Sequence, residues 1–433
     1  DADMAAPQAR RSGDYKLIEP MLIEIGGYDV STLHSGRSRV DIVATSRRLL
    51  QREQILAAME TLSGARRSVL RFAEANRRGL VPVYTQGRQS AGVPVGHYLG
   101  AYLAAFDVEA ENLRQAYALT NRSPLGAGAV ATSSFPLDRA RLSSLLGFEA
   151  PLENSLYANE LSVIGSGSRI VGAATSGALI VGALTSDLEA QYARTYPWFT
   201  VREAEGTLTS RSSSMPHKVN PSILNDARQQ ASLVIGMGQT YTLRAHNVPH
   251  GMPDAKRGEP DQALALYATM MRQVATLFDN LSFDAKTARE EIELEYAATP
   301  ELADTLQREA KVPFRIGHAF ASAVVDYGKA NRLPPAAFPY PVAQKLYAEE
   351  AAKAGLASSR LPLDAKAFAK VMSPDNMVAV AKGLGGPQPA EVDRMRAAES
   401  AAIAADDRWI AERRAALVKA SDGLETEFAK TAN

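Results

Sequence analysis

The sequence contains no cysteine, and this absence removes several kinds of chemistry at once. Disulfide bonds, thiolate metal sites and cysteine nucleophiles are all excluded. An excess of charge is also lacking, because 48 basic residues balance 48 acidic ones. The total charge therefore favours neither nucleic acid nor an anionic membrane as a partner, and any anion-binding site has to be local.

Long hydrophobic runs are scarce as well. The least charged segment, 170–186, is rich in Gly, Ala, Ser and Thr, and it is shorter than the roughly 20 apolar residues that a membrane span usually needs. We predict a buried helix here, whose small residues let neighbouring helices approach closely. The start of the chain is polar and lacks the apolar centre of a signal peptide.

Hydrophobic residues recur every three or four positions along most of the chain, which predicts amphipathic helices. These patterns occupy 43–78, 99–117, 223–246, 266–281, 301–330 and 390–428. Alternation typical of strands is rare, and 80–86 is the best example. Segments rich in Gly and Pro at 333–341 and 383–389 predict breaks between helices. We therefore predict an all-α fold built around a long central bundle, whose apolar faces are completed by other copies of the chain.

One short stretch, "SRSSSMPHKVNP" at 210–221, carries the strongest indication of chemistry. Ser212 stands six residues before Lys218, and Asn220 follows two residues later, with Pro216 restricting the backbone between them. A hydroxyl, an ammonium and an amide could converge on an anionic substrate. This suits proton abstraction beside a carboxylate, where negative charge builds up in the transition state. The residues alone also allow a solvated serine-rich loop that caps a helix.

The same stretch resembles the signature Gly-Ser-Ser-x-Met-Pro-x-Lys-x-Asn of the fumarase/aspartase superfamily, with Arg211 in place of the glycine. Segments 33–41, 84–99 and 121–139 are similar to segments of argininosuccinate lyases. Members of the superfamily eliminate an amine or water from a succinyl-type substrate and usually release fumarate. The resemblance implies a homotetramer in which three subunits contribute to each site, and it implies no metal or organic cofactor.

The resemblance also implies roles for the matching residues. Ser212 matches the catalytic serine, which takes a proton from the carbon next to the retained carboxylate. Lys218 matches the residue that stabilises the resulting aci-carboxylate intermediate. Five further residues at matching positions are expected to bind the substrate: Ser38, Arg39, Thr85, Ser213 and Asn220.

Domain boundaries and location are further implications of the resemblance. We expect a truncated N-terminal region at 1–36, a central helical bundle with the three signature regions at 37–288, and a C-terminal helical domain at 289–433. Family members imply a cytoplasmic enzyme, whereas a leader removed before Asp1 would place the protein in the periplasm.

Several positions depart from the argininosuccinate lyase pattern. Gln86 and Asn225 stand where a histidine and its partner glutamate usually occur. Loss of both together indicates a coordinated change, because either one alone would be unpaired in a closed site. Residues that would hold argininosuccinate are replaced by Val40, Met252, Arg257 and Pro260. A site that has lost several hydrogen-bond partners rejects the original substrate, so we expect a different one.

Guanidinium groups replace neutral family residues at three positions, Arg88, Arg211 and Arg257. They could clamp additional carboxylates of the substrate, alongside Gln86. We therefore hypothesise a carbon–nitrogen lyase that acts on an N-substituted aspartate or a related polycarboxylate. Two alternatives stay open: a carbon–oxygen lyase, whose leaving group needs less help from a proton donor, and an inactive, crystallin-like member of the family with a binding role.

Overall fold

The computed structural model describes residues 15–204 and 206–431, and helices dominate it. In chain order the elements are α1 (Tyr15–Gly26), a 3-10 helix (Tyr28–His34), α2 (Arg39–Ala75), β1 (Leu80–Thr85), β2 (Arg88–Pro94), α3 (Val95–Thr120), β3 (Arg122–Ser123), α4 (Arg139–Leu145), β4 (Ala150–Pro151), a π-helical turn (Tyr157–Leu161), α5 (Ser162–Ala190), a 3-10 turn (Gln191–Ala193), β5 (Phe199–Val201), β6 (Ser210–Arg211), β7 (Val219–Asn220), α6 (Ser222–Ala245), a 3-10 turn (Asp254–Lys256), α7 (Glu259–Asp279), β8 (Leu281–Phe283), α8 (Ala285–Glu293), α9 (Thr299–Ala310), α10 (Phe314–Ala330), a 3-10 turn (Pro335–Ala337), α11 (Tyr340–Lys353), α12 (Ala365–Val371), α13 (Pro374–Val380) and α14 (Pro389–Thr431). The all-α prediction is confirmed.

Most predicted helices appear where the hydrophobic period places them, but two predicted helices are longer than the helices in the structure. The pattern at 301–330 is interrupted after α9, where Lys311 adopts a left-handed conformation and Pro313 precedes α10. Proline disfavours a helical conformation in the residue before it, so the chain turns at this point. The pattern at 266–281 also ends early, because α7 stops at Asp279 and Leu281 pairs with Val201 in a short sheet.

The central bundle is formed by α2, α3, α5, α6 and α7, which pack along one another around a shared apolar core. Small residues of α5 allow the close approach that the sequence predicted. A Cβ atom added to Gly177 would lie 2.6 Å from the ring of Tyr267 on α7, and Gly167 is covered by Tyr241 of α6 in the same way. Larger side chains at these two positions would push the helices apart.

Helix α5 belongs to the stretch Tyr157–Ala193, which by length and composition is the one helix in the described residues that could cross a membrane. Half of its most apolar window is buried inside the protein. The predicted burial is therefore confirmed for one side of the helix only. On the other side Leu179 is 58% exposed, and Leu233 and Leu243 of α6 are also exposed. Leu179 and Leu243 line one groove on the surface of α5 and α6.

A second apolar core lies C-terminal to the bundle and includes Leu302, Phe320 and Tyr347 from helices α9, α10 and α11. The last helix, α14, returns to the bundle and packs against α2 and α3. It thus lies in the predicted C-terminal domain by sequence, but its contacts are with the central helices. The predicted boundaries at 36/37 and 288/289 stay a prediction.

A buried ion cluster ties α14 to the bundle. The guanidinium of Arg66 on α2 is completely buried and contacts three carboxylates, at 2.8 Å for Asp107, 2.7 Å for Glu399 and 2.6 Å for Asp406. These acidic residues belong to α3 and α14. One arginine therefore joins three helices, and its positive charge is balanced within the protein.

Replacing Arg66 with alanine should lower the free energy of unfolding by about 3–5 kcal/mol, because it removes the counter-charge beside the buried carboxylates of Glu399 and Asp406, of which Asp406 keeps its pair with Arg114. Urea unfolding followed by circular dichroism would measure the change. The neighbouring Arg67 provides a matched control, since the side chains of its pair with Asp407 at 2.6 Å are 42% and 45% exposed. Arg67→Ala should cost less than about 1 kcal/mol. Equal losses in the two variants would contradict a special role for Arg66.

Candidate active site

The serine-rich stretch forms a small hairpin in front of α6. Strands β6 and β7 pair Ser210 with Asn220 and Arg211 with Val219. At the start of the loop, the N–H of Ser212 donates to the carbonyl of Lys218 at 3.1 Å. The first and last residues of the predicted catalytic segment are thus held side by side by the backbone.

The hydroxyl of Ser212 accepts a hydrogen bond from the backbone N–H of Met215 at 3.1 Å. A donor of this kind stabilises negative charge on the oxygen, and a serine that acts as a base needs such stabilisation. Lys218 and Ser213 are exposed at the surface of the single chain. The amide of Asn220 donates to the carbonyl of Ser210 at 3.2 Å, so in this chain it fastens the base of the hairpin.

Capping of the following helix does not account for the serines. Helix α6 begins at Ser222, and its N-cap residue is Pro221, which makes no side-chain cap hydrogen bond. A loop whose serines serve only to cap this helix would need such a hydrogen bond, and the helix has none from its N-cap residue. Arg211 pairs with Glu203, and about half of each of these two side chains is exposed.

The second predicted region lies in the turn between β1 and β2. Thr85 pairs with Arg88, and the two residues between them, Gln86 and Gly87, have φ angles of 49° and 73°. Two successive positive φ angles are typical of the type I′ turn, in which glycine is favoured at the second position. Thr85, Gln86 and Arg88 are all exposed at this turn.

The first predicted region lies at the start of α2. The hydroxyl of Ser38 accepts from the N–H of Val40, and the N–H of Ser38 donates to Asp41 at 2.8 Å. The other oxygen of Asp41 accepts from the N–H groups of Gly126 and Gly128 at 3.0 and 2.9 Å. Burial raises the pKa of Asp41, and these donors oppose the rise. Ser38 thus caps the helix, and Arg39, the first residue of the helix, is exposed.

A cavity of about 380 Å³ opens beside Arg39. It brings Arg39 and Arg257 together with three residues that the sequence analysis did not select, Arg47, Lys256 and Tyr241. Arg47 donates to the carbonyl oxygens of Lys256 and Arg257, the latter at 3.0 Å. Burial raises the pKa of Tyr241 to about 12, so its hydroxyl keeps its proton. The four-residue spacing of Arg39, Val43 and Arg47 was the signal that could have revealed this face of α2.

Acidic side chains outside the lining pair with two of its cationic residues. Lys256 pairs with Glu160 at 2.8 Å, and Arg47 lies 4.0 Å from Asp261. Within the described chain, no residue that lines the cavity carries a carboxyl group. The lining combines cationic side chains with apolar ones such as Val40 and Val43, a composition suited to an anion with a carbon skeleton.

The predicted site residues lie at the two ends of the bundle. Tyr241, which lines the cavity beside Arg39, is 19 residues along α6 from Ser222, at the foot of the serine hairpin. An α-helix rises about 1.5 Å per residue, so this separation is about 28 Å. The turn with Thr85 lies at the end of the bundle where the serine hairpin also lies, because β1 follows α2. A single chain therefore does not bring Ser212 and Arg39 together.

Comparisons with known proteins agree with this architecture. A family described as "Lyase" matches residues 26–236. The argininosuccinate lyase of Methanocaldococcus jannaschii is 30% identical over 387 residues, which cover 88% of this chain and 76% of that protein. The crystal structure of EDDS lyase in complex with formate has a TM-score of 0.87 and 24% identity, covering 95% of this chain and 81% of the other. An EDDS lyase variant with bound fumarate has a TM-score of 0.86 and 23% identity, covering 96% and 82%.

The chain therefore belongs to the lyase family of the fumarase/aspartase superfamily. The resemblance that the motifs implied is confirmed, as is the similarity to argininosuccinate lyases. The solved structures show that the fold is shared over nearly the whole chain. The roles of the individual site residues are untested by these similarities and stay predictions.

Proposed function

We propose that this lyase eliminates an amine from an N-substituted aspartate or a related polycarboxylate and releases fumarate or a fumarate-like acid. The observation that carries the proposal is the closed loop between Ser212 and Lys218, which places a stabilised hydroxyl and an ammonium on one short hairpin. A structural relative with bound fumarate supports the nature of the product.

The proposed reaction is a β-elimination. The oxygen of Ser212, stabilised by the N–H of Met215, takes the proton from the carbon beside the retained carboxylate. The electrons of this C–H bond move into that carboxylate, which becomes an aci-carboxylate stabilised by Lys218 and Asn220. They then form the double bond while the bond from carbon to nitrogen breaks. The nitrogen leaves with the bonding pair and takes a proton from water, while the proton now on Ser212 passes to the solvent, so charge and atoms balance.

We further propose that the active site is shared between copies of the chain in a homotetramer. Because Ser212 and Arg39 lie at opposite ends of one bundle, the Arg39 of another copy has to approach the serine hairpin. The exposed apolar surface of α5 and α6, with Leu179, Leu233 and Leu243, supports association through these helices. An antiparallel arrangement of two bundles would place the Arg39 end of one beside the Ser212 end of the other.

The cavity beside Arg39 supports a substrate with more than the two carboxylates of a succinyl group. Arg257 lines it, and Arg47 fixes the backbone that carries Arg257. A guanidinium group can bind a carboxylate with two parallel hydrogen bonds, which makes Arg257 a candidate for the additional carboxylate. Arg211 lies elsewhere, beside Glu203, and we propose it as a substrate-binding residue only in the assembled site.

The reverse reaction tests the proposed function. Purified protein would be incubated with fumarate and single members of a panel of amines, some of which carry a carboxylate, and adducts would be identified by mass. We expect adducts with carboxylate-bearing amines and weaker formation with neutral ones. A tetramer that forms no adduct with any amine would contradict the proposal, and addition of water or an alcohol instead would favour the carbon–oxygen lyase.

A further inference from the structure

The hairpin that carries Thr85 is anchored on its inner side. Side chains of neighbouring strand residues point to opposite faces, so Tyr84 faces the protein where Thr85 faces outward. The hydroxyl of Tyr84 donates to Glu291 at 3.1 Å and accepts from the guanidinium of Arg194 at 3.1 Å. Arg194 also pairs with Glu291 at 2.6 Å. Three residues from three segments thus form a closed triangle of polar contacts directly behind the turn.

The segment that carries Arg194 is itself fixed. It is the loop between α5 and β5, which Gln191 closes by donating to the carbonyl of Phe199 at 2.7 Å and accepting from its N–H at 3.0 Å. The guanidinium lies over the ring of Trp198, 5.4 Å from its centroid, and 5.9 Å from that of Tyr84. Such cation–π contacts add to the hydrogen bonds that hold the arginine in place.

Glu291 is equally well placed to serve as an anchor. It lies on α8, whose N-cap residue is Asp284, and the N–H of Asp284 donates to the carbonyl of Trp198 at 2.8 Å. A second contact comes from Gln89 of β2, which donates to the carbonyl of Ile292 at 3.1 Å. Burial, followed by the nearby charge of Glu291, raises the pKa of Tyr84 to about 12, so the phenol remains a donor.

We propose that Arg194 is a positioning residue of the active site, which acts through Tyr84 and Glu291 to hold the Thr85–Gln86 turn in the orientation that binds substrate. This inference rests on the proposed function, because it assigns substrate binding to the turn. The arginine is suited to the role because its planar fork reaches the phenol and the carboxylate at once, whereas a lysine offers a single charged point. Arg194 itself need not touch substrate.

The test compares Arg194→Ala, Arg194→Lys and Tyr84→Phe with the control Arg71→Ala. Arg71 pairs with Asp279 at 2.7 Å on the surface at the end of the bundle where the hairpin lies, and its hydrogen bonds in the described residues go to Asp279 and Ser68. Hydrogen–deuterium exchange of peptides covering 80–94 would report the order of the turn without requiring activity. Steady-state kinetics with the adduct found above would give KM and kcat separately.

We expect Arg194→Ala to speed exchange in the turn and to raise KM roughly tenfold with kcat changed less than about threefold, the pattern of lost substrate binding. Added guanidinium ion should lower the KM of this variant again, while Arg194→Lys and Tyr84→Phe should show smaller changes in the same direction. Arg71→Ala should match the wild type in exchange and kinetics. Its melting temperature should differ from that of the wild type by the same amount as the melting temperature of Arg194→Ala.

Three results bear separately on the inference and on the function on which it rests. Unchanged exchange at 80–94 in Arg194→Ala would overturn the positioning role, even if the wild type is an active lyase. Faster exchange in Arg194→Ala would support the anchoring of the turn even if the wild-type protein processes no substrate. The inactivity of the wild type would then count against the proposed lyase reaction alone. A rise in KM that guanidinium does not reverse, with unchanged exchange, would also overturn the inference.

Discussion

Replacing Ser212 with alanine should lower the rate of fumarate release by about a thousandfold, since a positioned base commonly contributes between 10² and 10⁴ to the rate. The loop itself should survive, because the N–H of Ser212 still donates to the carbonyl of Lys218. Absorbance of the forming double bond would give kcat and KM. The loss should appear in kcat, since the proton is taken only in the transition state.

Ser214→Ala supplies the matched control for this variant. Ser214 is an exposed serine of the same loop, and its position is variable in the signature. Its replacement should leave kcat within about threefold of the wild type, because an exposed serine that makes no transition-state contact contributes little. Equal activity of Ser212→Ala and wild type would refute the role of the hydroxyl, and a protein that only binds its ligand would show this indifference.

The fold was largely predictable because helical periodicity is a local signal. The ends of helices α2, α3, α6 and α14 lie within four residues of the ends of the hydrophobic patterns, since each helix buries one continuous stripe in the core. The errors arose where a local feature outweighed the pattern. Pro313 ended a helix whose hydrophobic period continued, and Leu281 paired with Val201, which is distant in sequence.

The candidate site was predictable only in part, for a related reason. A short motif keeps Ser212, Lys218 and Asn220 together in sequence, and the structure keeps them on one hairpin. The supporting contacts are not local. Arg47 meets Arg257 across 210 positions, and Arg194 meets Tyr84 across 110. No pattern within one segment predicts such pairs, because they depend on how the long helices return along the bundle.

The separation of the motifs within one chain has the same origin. Each of the three regions lies beside one end of a helix, and the long helices of the bundle place the first region at one end and the second and third regions at the other. Arg39 begins α2, whereas Thr85 follows its other end after a helix of 37 residues. A site that needs both regions is therefore built most simply by association of copies.

Mixing two inactive variants should restore activity if the site is shared. Arg39→Ala and Ser212→Ala would each be inactive alone, since every site of such an oligomer lacks one group. In oligomers formed from equal amounts of both chains, each required residue is intact with a probability of one half, so about a quarter of the sites should be complete. Co-expression with two different affinity tags, followed by assay of the doubly tagged fraction, would measure this recovery.

A mixture of Ser212→Ala and Lys218→Ala serves as the control, because it shows whether mixing two variants restores activity when both lost residues come from the same chain. These residues lie on one hairpin whose ends are joined by a backbone hydrogen bond, so a site takes both from a single chain. Mixing these two variants should restore no activity, because every hairpin lacks either the hydroxyl or the ammonium. If the mixture of Arg39→Ala and Ser212→Ala stays as inactive as this control, Arg39 and Ser212 do not meet across copies, and the shared site is refuted. Recovery in the first mixture alone would locate Arg39 and Ser212 on different chains of the same active site.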